Sequence, residues 1–220
     1  MSITAIPVFV LGRPGSGKSY SLKNFEPNEI QVISIVKPFL PFKKRLPIVR
    51  PTATATARYS ELLGIMKEAD KPVYVLDDTQ MLMALEMFSK CNEKGYDKFT
   101  QIAYHFEYLM EYIMYKMPDD VIVYMLHHVD TNDIGQVKAK TVGKMLDQHM
   151  ELEGLCNIVL MCKCDAKEHW FETQSDGQTC AKTPEEMFEF KIPNDLKFVD
   201  TAIREYYGLT STDKYTKPKK

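Results

Sequence analysis

No apolar run in this chain is long enough to cross a bilayer, which sets aside a helical membrane protein. The opening residues, "MSITAIPVFVLG", carry no basic n-region and no small-residue cleavage site, so the cytoplasm is the expected compartment. Cysteine is scarce and odd in number, five among 220 residues, which points to reduced thiols rather than a disulfide framework. The charges nearly cancel, at −2, so no overall field draws the protein onto nucleic acid or membrane. Any such contact has to come from local patches. Internal repeats and low-complexity linkers are also missing. The expectation is one domain over residues 1–208, followed by a basic flexible tail at 209–220.

What is present is a set of short apolar runs rich in Val and Ile, at 7–11, 30–36, 72–76, 121–126 and 156–162. Nearly continuous apolar runs of this length read as parallel strands covered on both faces. Between them lie helical patterns. Over 99–117, Ile102, Phe106, Leu109, Met110, Ile113 and Met117 recur at three- and four-residue steps, and Pro118 stops the pattern. A second helix is expected over 141–153, with Gly154 as its cap. Strands alternating with helices imply an α/β fold with a mainly parallel central sheet.

The end of the chain departs from this rhythm. "HWFETQ", "SDG" and "QTCAK" read as a β-hairpin around a Ser-Asp-Gly turn. "TPEE" offers a capping box, with Thr183 as cap, Pro184 next and Glu186 three residues on. A last helix follows, with Asn194 as cap, Leu196, Val199, Ala202, Ile203 and Tyr206 inward, and Gly208 as stop.

The chemistry is concentrated in "LGRPGSGKSY" at 11–20. Gly12, Gly17, Lys18 and Ser19 satisfy G-x-x-x-x-G-K-[ST] directly after an apolar run. Glycines let backbone N–H groups turn around a β-phosphate, Lys18 reaches the β- and γ-phosphates, and Ser19 offers an oxygen to Mg²⁺. A helix starting here would aim its positive end at the same anion. Gly12, Arg13, Pro14, Gly15, Ser16, Gly17, Lys18, Ser19 and Tyr20 are therefore the expected nucleotide contacts, with ATP and Mg²⁺ as cofactors. "PVYVLDD" supplies the companion carboxylate: Asp77 ends an apolar run and is the expected Mg²⁺ partner. Asp78 either orients the attacking water or caps the helix that follows. Gln80 either polarises that water or is a solvated residue of the first helical turn.

At the end of the next run stand His127 and His128, placed to sense a γ-phosphate, or else one buried and one facing solvent. Just beyond them Lys138, Lys140 and Lys144 surround two glycines, a basic loop suited to DNA. The acid-free stretch from Ile30 to Ser60 interleaves Lys37, Lys43, Lys44, Arg45, Arg50 and Arg58 with Phe39, Phe42 and Tyr59. Basic residues mixed with aromatics suit single-stranded nucleic acid. A solvated surface is the plainer reading of each patch. Cys162, Cys164, His169 and Cys180 are zinc-ligand types, but C-x-C with a distant Cys is not a standard spacing, and small buried side chains are the simpler reading.

These residues resemble the AAA-type ATP-binding proteins of tailed-phage recombination and replication modules, RecA-like P-loop ATPases that include single-strand annealing proteins. The resemblance spans most of the chain: "VLGRPGSGKSYSLKNF", "KPFLPFKK", "VYVLDDTQMLMALEMF", "GYDKFTQIAYH", "KTVGKMLDQHMELEGLCNIVL" and "FETQSDGQTCAKTPEEMFEFKIPNDLKFVDTAIREYYG". The last stretch is the most specific, since nothing in phosphate-loop chemistry requires it. The resemblance implies a RecA-like P-loop NTPase with a C-terminal β-hairpin and helix, acting as a Mg²⁺-dependent ATPase. It places the γ-phosphate sensor and DNA loop between His127 and Lys144. It also implies a homo-oligomer, single-stranded DNA and a single-strand-binding protein as partners, and the host cytoplasm as the site of action. One departure stands out: the second strand leads into "SIVKPFLPF" without the acid RecA-like ATPases place there, so Asp78 is the substitute base. A Lys or Arg donated in trans (Lys138, Lys140, Lys144 or Arg58) would complete the site. An AAA+-type loader acting on a protein, with Arg204 as the only arginine beyond Arg58, is the alternative; a small-molecule kinase ranks last.

Overall fold

Each of the central strands alternates its side chains between two buried layers. In β1, Ile6–Gly12, Phe9 and Leu11 enter one layer, while Val8 and Val10 enter the other. Period-two alternation with both faces apolar is what a sheet sandwiched between helices demands. A computed structural model of the chain describes residues 5–36, 39–54, 56–132, 134–142 and 151–209. It shows a mixed α/β fold with a mostly parallel central sheet flanked by helices.

The other strands are β2 (Ile30–Ser34), β3 (Ile48–Val49), β4 (Val73–Asp77), β5 (Ile122–Thr131), β6 (Val137–Ala139), β7 (Ile158–Cys164), β8 (His169–Glu172) and β9 (Lys191–Pro193). The main path runs β3-β2-β4-β5-β1-β7-β8-β9, with β6 paired to β5 outside it. β3, β2, β4, β5, β1 and β7 are mutually parallel, and β8 and β9 are added antiparallel.

One layer holds α1 (Ala57–Lys67), α2 (Gln80–Ser89) and α3 (Asp97–Lys116), packed through Leu62, Met66, Leu82, Met83, Ile102, Phe106 and Met110. The opposite layer is built from Leu22 and Phe25 after β1 and from α4, Leu196–Tyr207. The apolar stripe of α4 is Leu196, Val199 and Ile203, all buried, while Tyr206 stays exposed, contrary to its expected inward position. Arg204, beside that stripe, is held by Asp200 and by the carbonyls of Asp120 and Pro72, and so fastens α4 to the amino ends of β4 and β5.

Several local expectations gave way to tertiary contacts. β8 does not pair with the segment after the Ser-Asp-Gly turn. It pairs with β7 and β9, and Lys182 makes only an isolated bridge to Val159. The turn itself forms, because the Asp176 carboxylate accepts the N–H groups of Gln178 and Thr179. The capping box at Thr183 starts no helix: Met187 N–H returns to Pro184 O, and Glu186 turns left-handed at φ 62°. The cap of α4 is Asp195, whose carboxylate accepts from the amides of Lys197 and Phe198; Asn194 is used elsewhere. After the glycine loop the chain makes only a 3-10 turn, Ser19–Leu22, so no long helix axis points at the loop. The expected helix over 141–153 falls largely outside the described residues. Its end, Leu152–Leu155, is a 3-10 turn.

Candidate functional site

Parallel pairing brings the carboxyl ends of β1, β5 and β4 to one edge of the sheet. β5 lies between the other two, with Gly12 beside His128 and Asp77 beside Leu126. Ligands of open α/β sheets bind at such ends, where the loops leave the strands. Here the edge carries a pocket of about 590 Å³, lined by Pro14, Gly15, Gly17, Lys18, Ser19 and Tyr20 on one side. Asp77, Asp78 and His128 face them, and Phe39, Leu40 and His169 close the rim.

The Gly12–Ser19 loop folds around its own lysine. Lys18 is buried, and its Nζ donates to the carbonyls of Gly12 at 2.7 Å and Arg13 at 3.1 Å. Burial pulls the Lys18 ammonium below its ordinary pKa, while Cys162, Asp78 and Asp77 act in the other direction. Ser19 Oγ donates to the Asp77 carboxylate, at 3.1 Å to one oxygen and 3.3 Å to the other. Burial, and then the charge of Asp78, push the Asp77 carboxyl up to about 6, although the Ser19 bond opposes this. A hydroxyl beside a desolvated carboxylate is a hard-oxygen pair of the kind that holds Mg²⁺ together with phosphate oxygens. Together with a buried ammonium, it gives the donor set that a magnesium-bound polyphosphate needs.

Asp78 caps nothing. Its backbone is left-handed at φ 64°, an uncommon conformation for a residue with a side chain. Its Oδ1 lies 3.1 Å from His128 Nε2. That hydrogen bond holds the Asp78 carboxyl below the usual range, against the opposing effect of partial burial. Gln80 is not solvated. It is buried, and its side-chain oxygen accepts the backbone N–H of His128 at 3.2 Å. Asp78 and Gln80 thus hold His128 from both ends, side chain and backbone.

His127 is fully buried and has no place in the pocket lining. Its Nε2 meets the Lys140 carbonyl at 2.8 Å, and its Nδ1 meets Thr79 Oγ1 at 2.7 Å. A carbonyl only accepts, so the proton sits on Nε2 and the threonine hydroxyl donates to Nδ1. Burial drives the imidazole pKa down to about 4. Lys140 N–H in turn donates to His128 O at 2.9 Å. Both histidines therefore grip the backbone of Lys140, at the end of the β5–β6 hairpin.

The basic candidates are scattered. Lys140 is exposed and Lys138 lies in β6, while Lys144 and Lys37 lie outside the described residues, as do residues 210–220 of the tail. Phe39 is 83% exposed at the pocket rim, but Tyr59 is buried in the helical layer and unavailable for stacking. Arg58 turns back to the carbonyl of Ala53, and Lys44 pairs with Glu26. Arg204 is occupied at the opposite end of the strands, away from the pocket. Cys162 and His169 both turn to the carbonyl of Ser16, and Cys180 faces Glu153. Among the described residues these side chains form no metal-binding group.

Two residues expected elsewhere, His169 as a zinc-ligand candidate and Asn194 as a helix cap, instead reach the glycine loop or the cysteine beside it. His169 Nδ1 lies 2.7 Å from Ser16 O, and Asn194 Nδ2 donates to Cys162 Sγ at 3.1 Å. Asn194 lies in the specific late stretch "IPNDL", whereas nothing in the sequence singled out His169 for contact with the loop.

No protein-family model matches the chain, and no curated protein sequence matches it. Among solved structures it is similar to the KaiC-like protein PH0186 of the hyperthermophilic archaeon Pyrococcus horikoshii OT3. That likeness has 11% identity, covers 76% of this chain and 77% of that chain, and has a TM-score of 0.47.

Proposed function

We propose that this protein is a RecA-like P-loop ATPase that binds Mg²⁺·ATP at the Gly12–Ser19 loop and uses it to control a grip on single-stranded DNA, in recombination or replication. The observation that carries the nucleotide reading is the meeting of Lys18, Ser19 and Asp77 in one pocket, from segments far apart in sequence. Lys18 neutralises the β- and γ-phosphates, and Ser19 with Asp77 holds the magnesium, which supplies charge neutralisation of the leaving polyphosphate. Asp78 and His128 stand beside that carboxylate. His128, oriented by Asp78, positions the attacking water or reports the γ-phosphate.

The DNA reading rests on the route from that histidine to the basic hairpin. His128 faces the pocket, and its carbonyl and the His127 ring both hold the backbone of Lys140. A γ-phosphate that moves His128 would therefore move the segment carrying Lys138 and Lys140. Assembly into a homo-oligomer would bring a neighbour's cation to the open side of the pocket. The loader alternative needs a sensor arginine, and Arg204 is spent on Asp200 and two carbonyls.

The test is ATP turnover with and without single-stranded DNA over a salt series. Stimulation by DNA that falls steeply with salt is expected for lysine–phosphate contacts. Turnover indifferent to any DNA would instead favour a protein partner. Lys18→Ala should abolish ATP binding while the chain stays folded, because it removes a desolvated charge rather than a packing group. ATP binding at wild-type affinity by Lys18→Ala would overturn the site assignment.

A further inference from the structure

The Ser16 carbonyl receives two hydrogen bonds from a part of the chain that phosphate-loop chemistry does not call for. His169, the first residue of β8, meets it through Nδ1 at 2.7 Å, and Cys162 in β7 donates its thiol to it at 3.1 Å. Since a carbonyl only accepts, His169 Nδ1 carries a proton. The thiol is itself oriented: Asn194, between β9 and α4, donates to its sulfur at 3.1 Å. Burial pushes the Cys162 thiol up to about 11, so it remains a protonated donor. Further along, exposed Cys164 approaches Gly15 O at 3.9 Å.

The ribbon fits so closely that Gly12 and Gly17 have no room for side chains. A Cβ on Gly17 would lie 2.8 Å from His169 Nδ1 and 3.2 Å from Asn194 Oδ1. A Cβ on Gly12 would lie 2.8 Å from the Cys162 carbonyl. Gly17 is also left-handed, at φ 102°. It is therefore required twice over, for its backbone and for the ribbon pressed against it.

In a trans peptide, C=O and N–H point in opposite directions. Two donors that fix the Ser16 carbonyl toward the ribbon therefore turn the Gly17 N–H away from it, toward the pocket that Gly17, Lys18 and Ser19 line. We infer that His169 and the Asn194–Cys162 pair form a clamp that sets the Ser16–Gly17 peptide in its anion-binding orientation, so that the β7–β8–β9 ribbon is a working part of the nucleotide site. The inference rests on the nucleotide reading above. His169 is a positioning residue in this scheme, acting through Ser16. It also explains the "IPND" segment: Asn194 leaves the helix cap to Asp195 because its amide is needed at Cys162.

The test compares wild type with His169→Ala, His169→Asn, His169→Gln and Asn194→Ala. Each is titrated with a fluorescent ATP analogue in Mg²⁺, and amide hydrogen exchange of the 12–19 segment is measured without nucleotide. His169→Ala and Asn194→Ala should each weaken binding, the first by about tenfold, the size of one lost hydrogen bond at a constrained site. They should also speed exchange in the loop. Asparagine places its amide donor where Nδ1 was and should recover most of the affinity; glutamine places it at the Nε2 position and should not. Recovery by glutamine and not asparagine would overturn the clamp in favour of direct contact with the ligand. Wild-type affinity and unchanged loop exchange in both alanine variants would overturn it outright. If the wild type itself binds no ATP, the nucleotide reading fails, and the exchange data still decide whether the clamp orders the loop. His169 is exposed, so its variants are expected to fold; Asn194→Ala gives the second, independent reading of the same clamp.

Discussion

Ser19 Oγ donates to the Asp77 carboxylate at 3.1 Å, joining the end of the glycine loop to the end of β4 across 58 residues of sequence. The bond crosses the tip of β5, which lies between the two strands. It turns two separate motifs into one oxygen pair beside a buried ammonium. Asp77→Asn should keep this packing but lose the charge proposed to face magnesium. Magnesium should then cease to strengthen ATP binding, with a loss of about 10–100-fold in apparent Mg²⁺ affinity. Titration of a fluorescent ATP analogue in Mg²⁺ and in EDTA checks this, and equal magnesium dependence in both proteins would refute it.

Asp78 and His128 make a second pair at the same edge, with His128 also held through Gln80. His128→Ala and Asp78→Asn should lower turnover by about a hundredfold, the scale of a positioned acid–base group, with little change in ATP affinity. Asparagine tolerates the left-handed backbone at position 78, so the fold should persist. Steady-state kinetics set against equilibrium binding separate the two effects. A change confined to KM would contradict the assignment.

Arg204 is half-buried against Asp200 and two strand-end carbonyls. Arg204→Met leaves Asp200 buried without its cation, and stability should fall by about 3–5 kcal/mol. ATP affinity measured below the unfolding transition should not change. Urea denaturation gives the first number. A selective loss of nucleotide binding would restore Arg204 as a site residue.

His127 gives a pH signature. Burial lowers its pKa in the fold to about 4, while an unfolded histidine titrates near 6.5. Between these values the unfolded chain binds the extra proton. Stability from this residue is therefore fully present above the upper value and lost as pH falls through the window. His127→Gln should remove that contribution, so the stability difference from wild type should change by up to about 1.4 kcal/mol per pH unit within it. Denaturation at several pH values checks the difference, which cancels the opposing effect of Asp77. A pH-independent difference would mean that the ring titrates alike in the folded and unfolded chain.

The strands were legible because a strand covered on both faces has to be apolar at nearly every position. β1, β2, β4 and β7 fall on the runs read from sequence, shifted by a residue or two, and β5 starts on its run but continues five residues past it, through both histidines. β3, β6 and β9 were missed, being too short for a periodic signal. α3 was legible from its stripe. The late segment misled, since a Ser-Asp-Gly turn announces a hairpin but cannot say that β8 finds better partners in β7 and β9. Asn194 misled in the same way: next to Asp195, either residue has the chemistry of a cap, and the contact with Cys162 decides which one serves.

By itself the sequence determined the residue types of the proposed site, because Gly12, Gly17, Lys18, Ser19 and Asp77 stand in local arrangements that short-range rules can read. It also determined the alternating layers, because apolar periodicity is local. Only the tertiary structure decided which histidine faces the pocket and which is locked inside. That choice depends on β5 running between β1 and β4, with Thr79 and Lys140 waiting for the ring of His127. Only the tertiary structure brought His169 to Ser16, a hydrogen bond spanning 153 positions. Contacts at that separation come from packing and sheet order, which no local pattern along the chain encodes.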